Sequence, residues 1–306
     1  MLMKNTARRR AVWAALSTTL LWAGTAAHGA DPREIFSQVR LSVLPLEMRD
    51  ANGNPTGTHT AIVVAPRQVI SACDVLDGGF KPFVVSATGP LQANTKARDP
   101  QRNLCLLDVP ALEAPAASLI AANAMPTAGA RVYAVSNALG LGVGISEGVV
   151  AGIREVADRR YIQFSAPISP GSEGGALVND AGQVVGVIDY RRRDGQNVNF
   201  AAPAQWITEV EARNTDDSAR RRFFARATDL VRDKKWAELM TLALEWNAKQ
   251  SDDIDAHRLV AFTARMQNDL DSEEKAWREM RRIDPAMVFM SDWFRPPNSD
   301  LIRPKG

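Results

Sequence analysis

The chain has 306 residues, 45% of them hydrophobic and 24% charged, with a formal net charge of +2. Such a chain is an ordinary globular protein, long enough for two compact domains. Its charge leaves no electrostatic footprint for nucleic acid, and beyond the N-terminus no apolar segment is long enough to span a bilayer.

The elements begin with a targeting segment. Lys4 and Arg8-Arg9-Arg10 precede an apolar run from Ala11 to Gly24, followed by small residues through Ala30. This is the order of a secretory signal over residues 1–30, with cleavage near Ala27 or Ala30. An apolar run of about 14 residues falls short of the roughly 20 a membrane anchor needs. The paired arginines also permit twin-arginine export. Removing the segment turns the formal charge from +2 to about −2. The expected location is the periplasm or the exterior. Cys73 and Cys105 are the two cysteines. In an oxidising compartment an even count suggests a disulfide, with two buried free thiols as the other reading.

Residues 31–213 are the expected β domain, and from Arg40 to about Phe200 they read as short strands. Leu44, Leu46 and Met48 share one face of the first, with Val43, Pro45 and Glu47 on the other, and Asp50–Pro55 has hairpin-turn chemistry. Strands are expected over 60–64, 68–71, 81–86, 103–109, 131–136, 145–153, 161–164, 183–190 and 197–201. About ten short strands at this spacing predict an all-β sandwich or pair of barrels. The Ala/Pro-rich stretch 110–128 joins the halves. Pro203 suits the first turn of a helix running to Ala212.

Residues 214–306 switch to helical periodicity after a linker at 214–218. Apolar stripes comprise Phe224, Ala227 and Val231; then Trp236, Met240, Ala243 and Trp246; then Leu259, Thr263 and Met266; then Ala276, Met280 and Ile283. The second and fourth stripes lie roughly 35 residues apart, the size of a tetratricopeptide-type hairpin repeat, and Arg281–Pro285 resembles the end of such a repeat. A plain helical bundle is the competing reading. Trp236, Trp246, Trp277 and Trp293 serve either a core or a binding surface. Basic and acidic residues balance here, so no electrostatic steering is expected.

The segment Pro170-Gly-Ser-Glu-Gly-Gly-Ala-Leu-Val178 resembles the nucleophile loop of trypsin-like serine peptidases. Their HtrA-like branch carries Gly-Asn-Ser-Gly-Gly-Pro-Leu there. The likeness extends to Gly57-Thr-His-Thr-Ala-Ile-Val-Val64, Val69-Ile-Ser-Ala-Cys-Asp-Val-Leu76, Asn103-Leu-Cys-Leu-Leu-Asp-Val109, Val135-Ser-Asn-Ala-Leu-Gly140 and Gly144-Ile-Ser-Glu-Gly-Val-Val150. It implies a trypsin-like double β-barrel followed by a smaller helical, TPR-like domain. It sets Cys73 at the general-base position, Asn103 at the orienting-acid position and Glu173 at the nucleophile position. A thiol titrates near 8.5 and lacks a second ring nitrogen, and an asparagine cannot hold charge against a developing cation. A glutamate is expected to turn its carboxylate onto the oxyanion-hole amides near Gly171 and Glu173.

The resemblance therefore implies a protein that is not an enzyme: a pseudoprotease that binds a protein or peptide partner, with no cofactor and no metal. The alternatives are a serine-type endopeptidase or other hydrolase with a rearranged site, and an adaptor working through its helices. Because the base and its orienting acid touch in that family, the resemblance also makes a Cys73–Cys105 disulfide possible, with two packed thiols as the leading reading. His59 reads as a surface or inter-strand residue and His257 as a packing residue. Asp74 beside Cys73 and the cationic run Arg191–Asp194 have functional readings too, as a partner for Glu173 and as a rim for an acidic peptide. The ordinary explanation for that run is a solvated hairpin tip.

Overall fold

The computed structural model describes residues 31–76, 80–156, 159–191, 197–215 and 218–283. The signal segment, most of the Arg191–Asp194 run, Asp284–Pro285 and Trp293 lie outside the described residues.

A short helix opens the chain, α1 (Pro32–Val39). Asp31 caps it through a hydrogen bond from Arg33 N, Pro32 occupies its first turn, and Ile35 and Val39 turn inward. Strands β1 (Val43–Arg49), β2 (Pro55–Ala65), β3 (Gln68–Ala72), β4 (Lys81–Ser86), β5 (Gly89–Gln92), β6 (Asn94–Asp99) and β7 (Leu104–Asp108) follow. They form one antiparallel sheet in the order β5-β4-β1-β2-β3-β7-β6. Strands β8 (Arg131–Ser136), β9 (Gly144–Val156), β10 (Arg159–Phe164), β11 (Ala176–Val178), β12 (Val184–Arg191) and β13 (Asn199–Pro203) close into a barrel. The double-barrel expectation is therefore half right: the second sheet closes, whereas the first runs from β5 to β6 without their pairing.

Period-2 alternation explains how the two sheets share a core. Ala61, Val63 and Val69 face the interior of the first sheet with Leu46, Met48 and Leu107. Their neighbours Ile62 and Ile70 face the other way. With Val43, Leu104 and Leu106 they meet Tyr133, Val135, Ala176 and Val187 of the barrel in one buried cluster. That cluster packs β2 and β3 against the barrel, and the Ser169–Gly175 loop meets β2 at this seam, the candidate cleft.

The helix expected from Pro203 is instead a six-residue 3-10 stretch, Ala204–Glu209, with Pro203 ending β13. Trp206 and Ile207 from it are buried, and Tyr161 meets Trp206 edge-to-face at 5.3 Å. Asn214 and Thr215 fasten onto β6 through Arg98 N to Asn214 Oδ1 and Thr215 N to Arg98 O, 2.9 and 3.0 Å.

Helices α2 (Ser218–Arg232), α3 (Trp236–Lys249), α4 (Ile254–Met266) and α5 (Leu270–Ile283) complete the described chain. Each packs on the next around Phe223, Leu230, Leu239, Leu259 and Met280. Trp236, Trp246 and Trp277 pack against that core. His257 Nε2 lies 2.8 Å from Ser251 O and Nδ1 lies 3.3 Å from Asn247 Nδ2, so its ring links α4 to α3 and to the α3–α4 turn.

Candidate functional site

The loop from Ser169 to Gly175 is built on two glycines with left-handed backbone, Gly171 (φ +96°) and Gly174 (φ +81°). A Cβ on Gly174 would lie 2.1 Å from Thr60 O and 2.2 Å from Ser71 Oγ, so only glycine lets the loop reach β2 and β3. Thr60 is the clamp. Its N–H donates to Glu173 O at 3.0 Å, its hydroxyl donates to Gly171 O at 2.7 Å, and that hydroxyl accepts Asn137 N at 2.9 Å. Ser71 Oγ donates to Thr60 O at 2.7 Å, and Ser136 Oγ donates to Ser172 Oγ at 2.9 Å. Thr60 and Ser172 lie within the quoted motifs, but the motifs assign them no role, because their roles arise only where β2 meets the loop.

Glu173 turns back on this loop. Its Oε2 accepts the Gly171 amide at 2.7 Å and lies 3.7 Å from His59 Nδ1, an ion-pair separation. The side chain is 21% exposed. Burial raises its carboxyl, but His59 and the amides of its own loop outweigh burial and hold it below the usual carboxylate range. His59, read from sequence as a bland strand residue, thus stands beside Glu173.

Cys73 requires a correction. It is 1% exposed, shares the core of Val69, Cys105 and Leu107, and is bonded to Cys105, 32 residues along the chain. Its sulfur faces the interior of the first sheet and presents no thiol to the cleft. The Asn103 side chain meets Asp74 instead, whose amide donates to Asn103 Oδ1 at 2.8 Å.

Asn103 has φ 55° and lies in the turn before β7, outside the strand expected to contain it. Its carbonyl accepts Cys73 N at 3.1 Å, and its Nδ2 donates to Asp189 Oδ1 at 2.6 Å. Asp189 was not singled out in the sequence, where it is one polar residue near the end of a long apolar strand. Burial pushes its carboxyl up to about 7; the Asn103 hydrogen bond and Arg159 oppose the rise, and the charge of Glu173 adds to it. No group of three or more His, Cys, Asp or Glu side chains among the described residues could hold a metal ion.

Residues 59–187 match the family described as trypsin-like peptidase domain. Among curated relatives, the "Probable periplasmic serine endoprotease DegP-like" of Pseudomonas fluorescens is 32% identical over 127 residues, 39% of this chain and 26% of that protein. The serine endoprotease DegS of Escherichia coli K12 is 30% identical over 102 residues, 30% of this chain and 29% of that protein. The chain thus spans less than a third of either relative. The solved structure of the serine endoprotease from Yersinia pestis superposes with a TM-score of 0.54 at 20% identity, covering 61% of this chain and 67% of that one. At that identity the likeness speaks for the fold.

These matches overturn the expectation that the protein is not an enzyme. That expectation rested on three side-chain identities, which bear on the groups available for chemistry. The domain is of peptidase type, and its relatives are named serine endoproteases. Most of the two sheets and the glycine-built loop fall within the matched segment: residues 59–187 carry a trypsin-like peptidase domain similar to that of the DegP- and DegS-type serine endoproteases.

Proposed function

We propose that this protein is an exported member of its family that holds an extended polypeptide in the cleft over Gly171 and Glu173. Its C-terminal helices, of TPR-like type, provide a second protein-contact surface. The observation that carries the reading is the Gly171 amide, which binds the Glu173 carboxylate, a side chain 21% exposed, at 2.7 Å. An amide held this way by a left-handed glycine suits a peptide carbonyl equally well, and Glu173 occupies it as an internal competitor. Export is supported by the basic, apolar and small-residue order of residues 1–30 and by the periplasmic designation of the Pseudomonas relative. Among the described residues no helix is long and apolar enough to cross a membrane.

The test is fluorescence polarisation with labelled casein-derived peptides on the mature chain. Binding is expected, and Glu173→Ala should tighten it by freeing the amide. Failure of both proteins to bind at high micromolar concentration would remove the reading.

A second reading, peptide hydrolysis, is favoured by the Glu173–His59 pair at 3.7 Å and by the relatives' designation as endoproteases. The Glu173 carboxylate would take a proton from water, whose hydroxide attacks the carbonyl carbon. His59, when protonated, would return a proton to the departing amine. Mass spectrometry of the same peptides tests it: products lost in both Glu173→Gln and His59→Ala support hydrolysis, and products that persist in both exclude this route.

A further inference from the structure

Asp189 links the turn before β7 in the first sheet to the Glu173 loop of the barrel. Its chain neighbour Ile188 clasps the Glu173 loop, with Gly174 N donating to Ile188 O at 2.8 Å and Ile188 N donating to Gly175 O at 2.7 Å. Its own carboxylate accepts Asn103 Nδ2 at 2.6 Å, and Asn103 receives the Asp74 amide on Oδ1 at 2.8 Å. A continuous path of hydrogen bonds and chain therefore runs from the end of β3, through Asn103 and Asp189, to the loop bearing Gly171 and Glu173.

Asp189 is 6% exposed, and among the described residues its one direct side-chain hydrogen-bond partner is the neutral Asn103 amide. The titratable and charged groups that act on it are Arg159 of β10, Tyr161 of the same strand, and Glu173. A buried carboxylate with a neutral donor favours its protonated form, and a like charge nearby strengthens that preference. Burial and Glu173 together hold its titration near neutral pH despite Asn103 and Arg159. A ligand oxygen that takes the Gly171 amide displaces the Glu173 carboxylate and weakens the repulsion. Asp189 then gives up its proton more readily.

We propose that Asp189 is a proton-carrying positioning residue, which ties Asn103 to the Glu173 loop and couples occupation of the cleft to proton release. The inference deepens the polypeptide-binding reading and rests on it for the ligand. By linkage, a ligand whose binding releases a proton binds more tightly as pH rises.

Two measurements test it. Labelled-peptide affinity, taken at pH 6 and pH 8, should rise several-fold for the parent protein and stay flat for Asp189→Asn. An unchanged pH response in Asp189→Asn, or a flat parent, overturns the coupling. Denaturant unfolding at pH 5 and pH 8 needs no ligand. The parent should lose stability at the higher pH, where folding must bury a charge, and Asp189→Asn should lose less. Equal losses overturn the proposal. If no peptide binds at either pH, the polypeptide-binding reading fails, and the unfolding comparison still decides whether Asp189 carries the proton.

Discussion

The Glu173 carboxylate accepts the amide of Gly171, two residues before it in the same loop, at 2.7 Å. The contact makes the loop self-capping: an acceptor and a donor that could each meet a ligand satisfy one another. His59 stands 3.7 Å away on β2, so the loop's charge is also held from the opposite wall.

Because folding depresses the Glu173 carboxyl, its contribution to stability is present above its ordinary value of 4.5 and disappears as pH falls through the lowered value. The parent protein should therefore lose more stability than Glu173→Gln between pH 5 and pH 3. Denaturant midpoints at these pH values check it; parallel losses would show that the carboxylate contributes nothing in that window.

The Cys73–Cys105 bond closes a 32-residue separation within the first sheet. Chain-entropy reasoning gives about 3–4 kcal/mol for a loop of this length. Reduction, or the double change Cys73→Ser with Cys105→Ser, should lower unfolding free energy by that order. Thiol titration of the denatured, unreduced mature chain should detect no free thiol.

Leu139 holds φ 56° and is 61% exposed, next to a loop fastened by Leu139 N to Pro170 O at 2.8 Å. A left-handed backbone costs a non-glycine residue roughly 1 kcal/mol, and little burial is at stake here. Leu139→Gly should stabilise the protein by about that amount, less the entropy glycine adds to the unfolded chain. A stability loss on thermal unfolding would contradict the strain assignment.

Asp253 serves two helices. Its Oδ1 caps α4 through Asp255 N at 3.1 Å, and its Oδ2 accepts Trp246 Nε1 from α3 at 2.8 Å, where the indole stacks on Phe223 at 4.7 Å. Asp253→Ala should cost about 1–2 kcal/mol, the range for a lost N-cap with an orphaned donor. Its effect should appear as early loss of helical circular dichroism while the disulfide-bonded sheet persists.

Legibility followed burial. Strands with strong alternation, such as β1 with Leu46 and Met48 inside, were readable from residue type. The overlooked β5 and β6 are the two edges of the first sheet, and edge strands carry polar residues that blunt their unpaired backbone. Strand β11 has only three residues and sits inside the glycine-rich motif, so its role as a strand was hidden there. Of the site, Gly171 and Glu173 stood out because the motif around them is local. Asp189 and Thr60 did not, since their partners lie 86 and 111 residues away in sequence.

The order of residue types along the chain was enough to establish a β region followed by helices and a loop of trypsin-like design with glutamate at its centre. Both are written in periodicities and contiguous motifs, which local chemistry fixes. Tertiary structure decided the rest: that the first sheet stays open, that Cys73 faces the core instead of the cleft, and that Asp189 meets Asn103. These depend on which faces two sheets bury against each other, a balance of apolar contact and hydrogen bonding between segments that are neighbours only once the chain has closed.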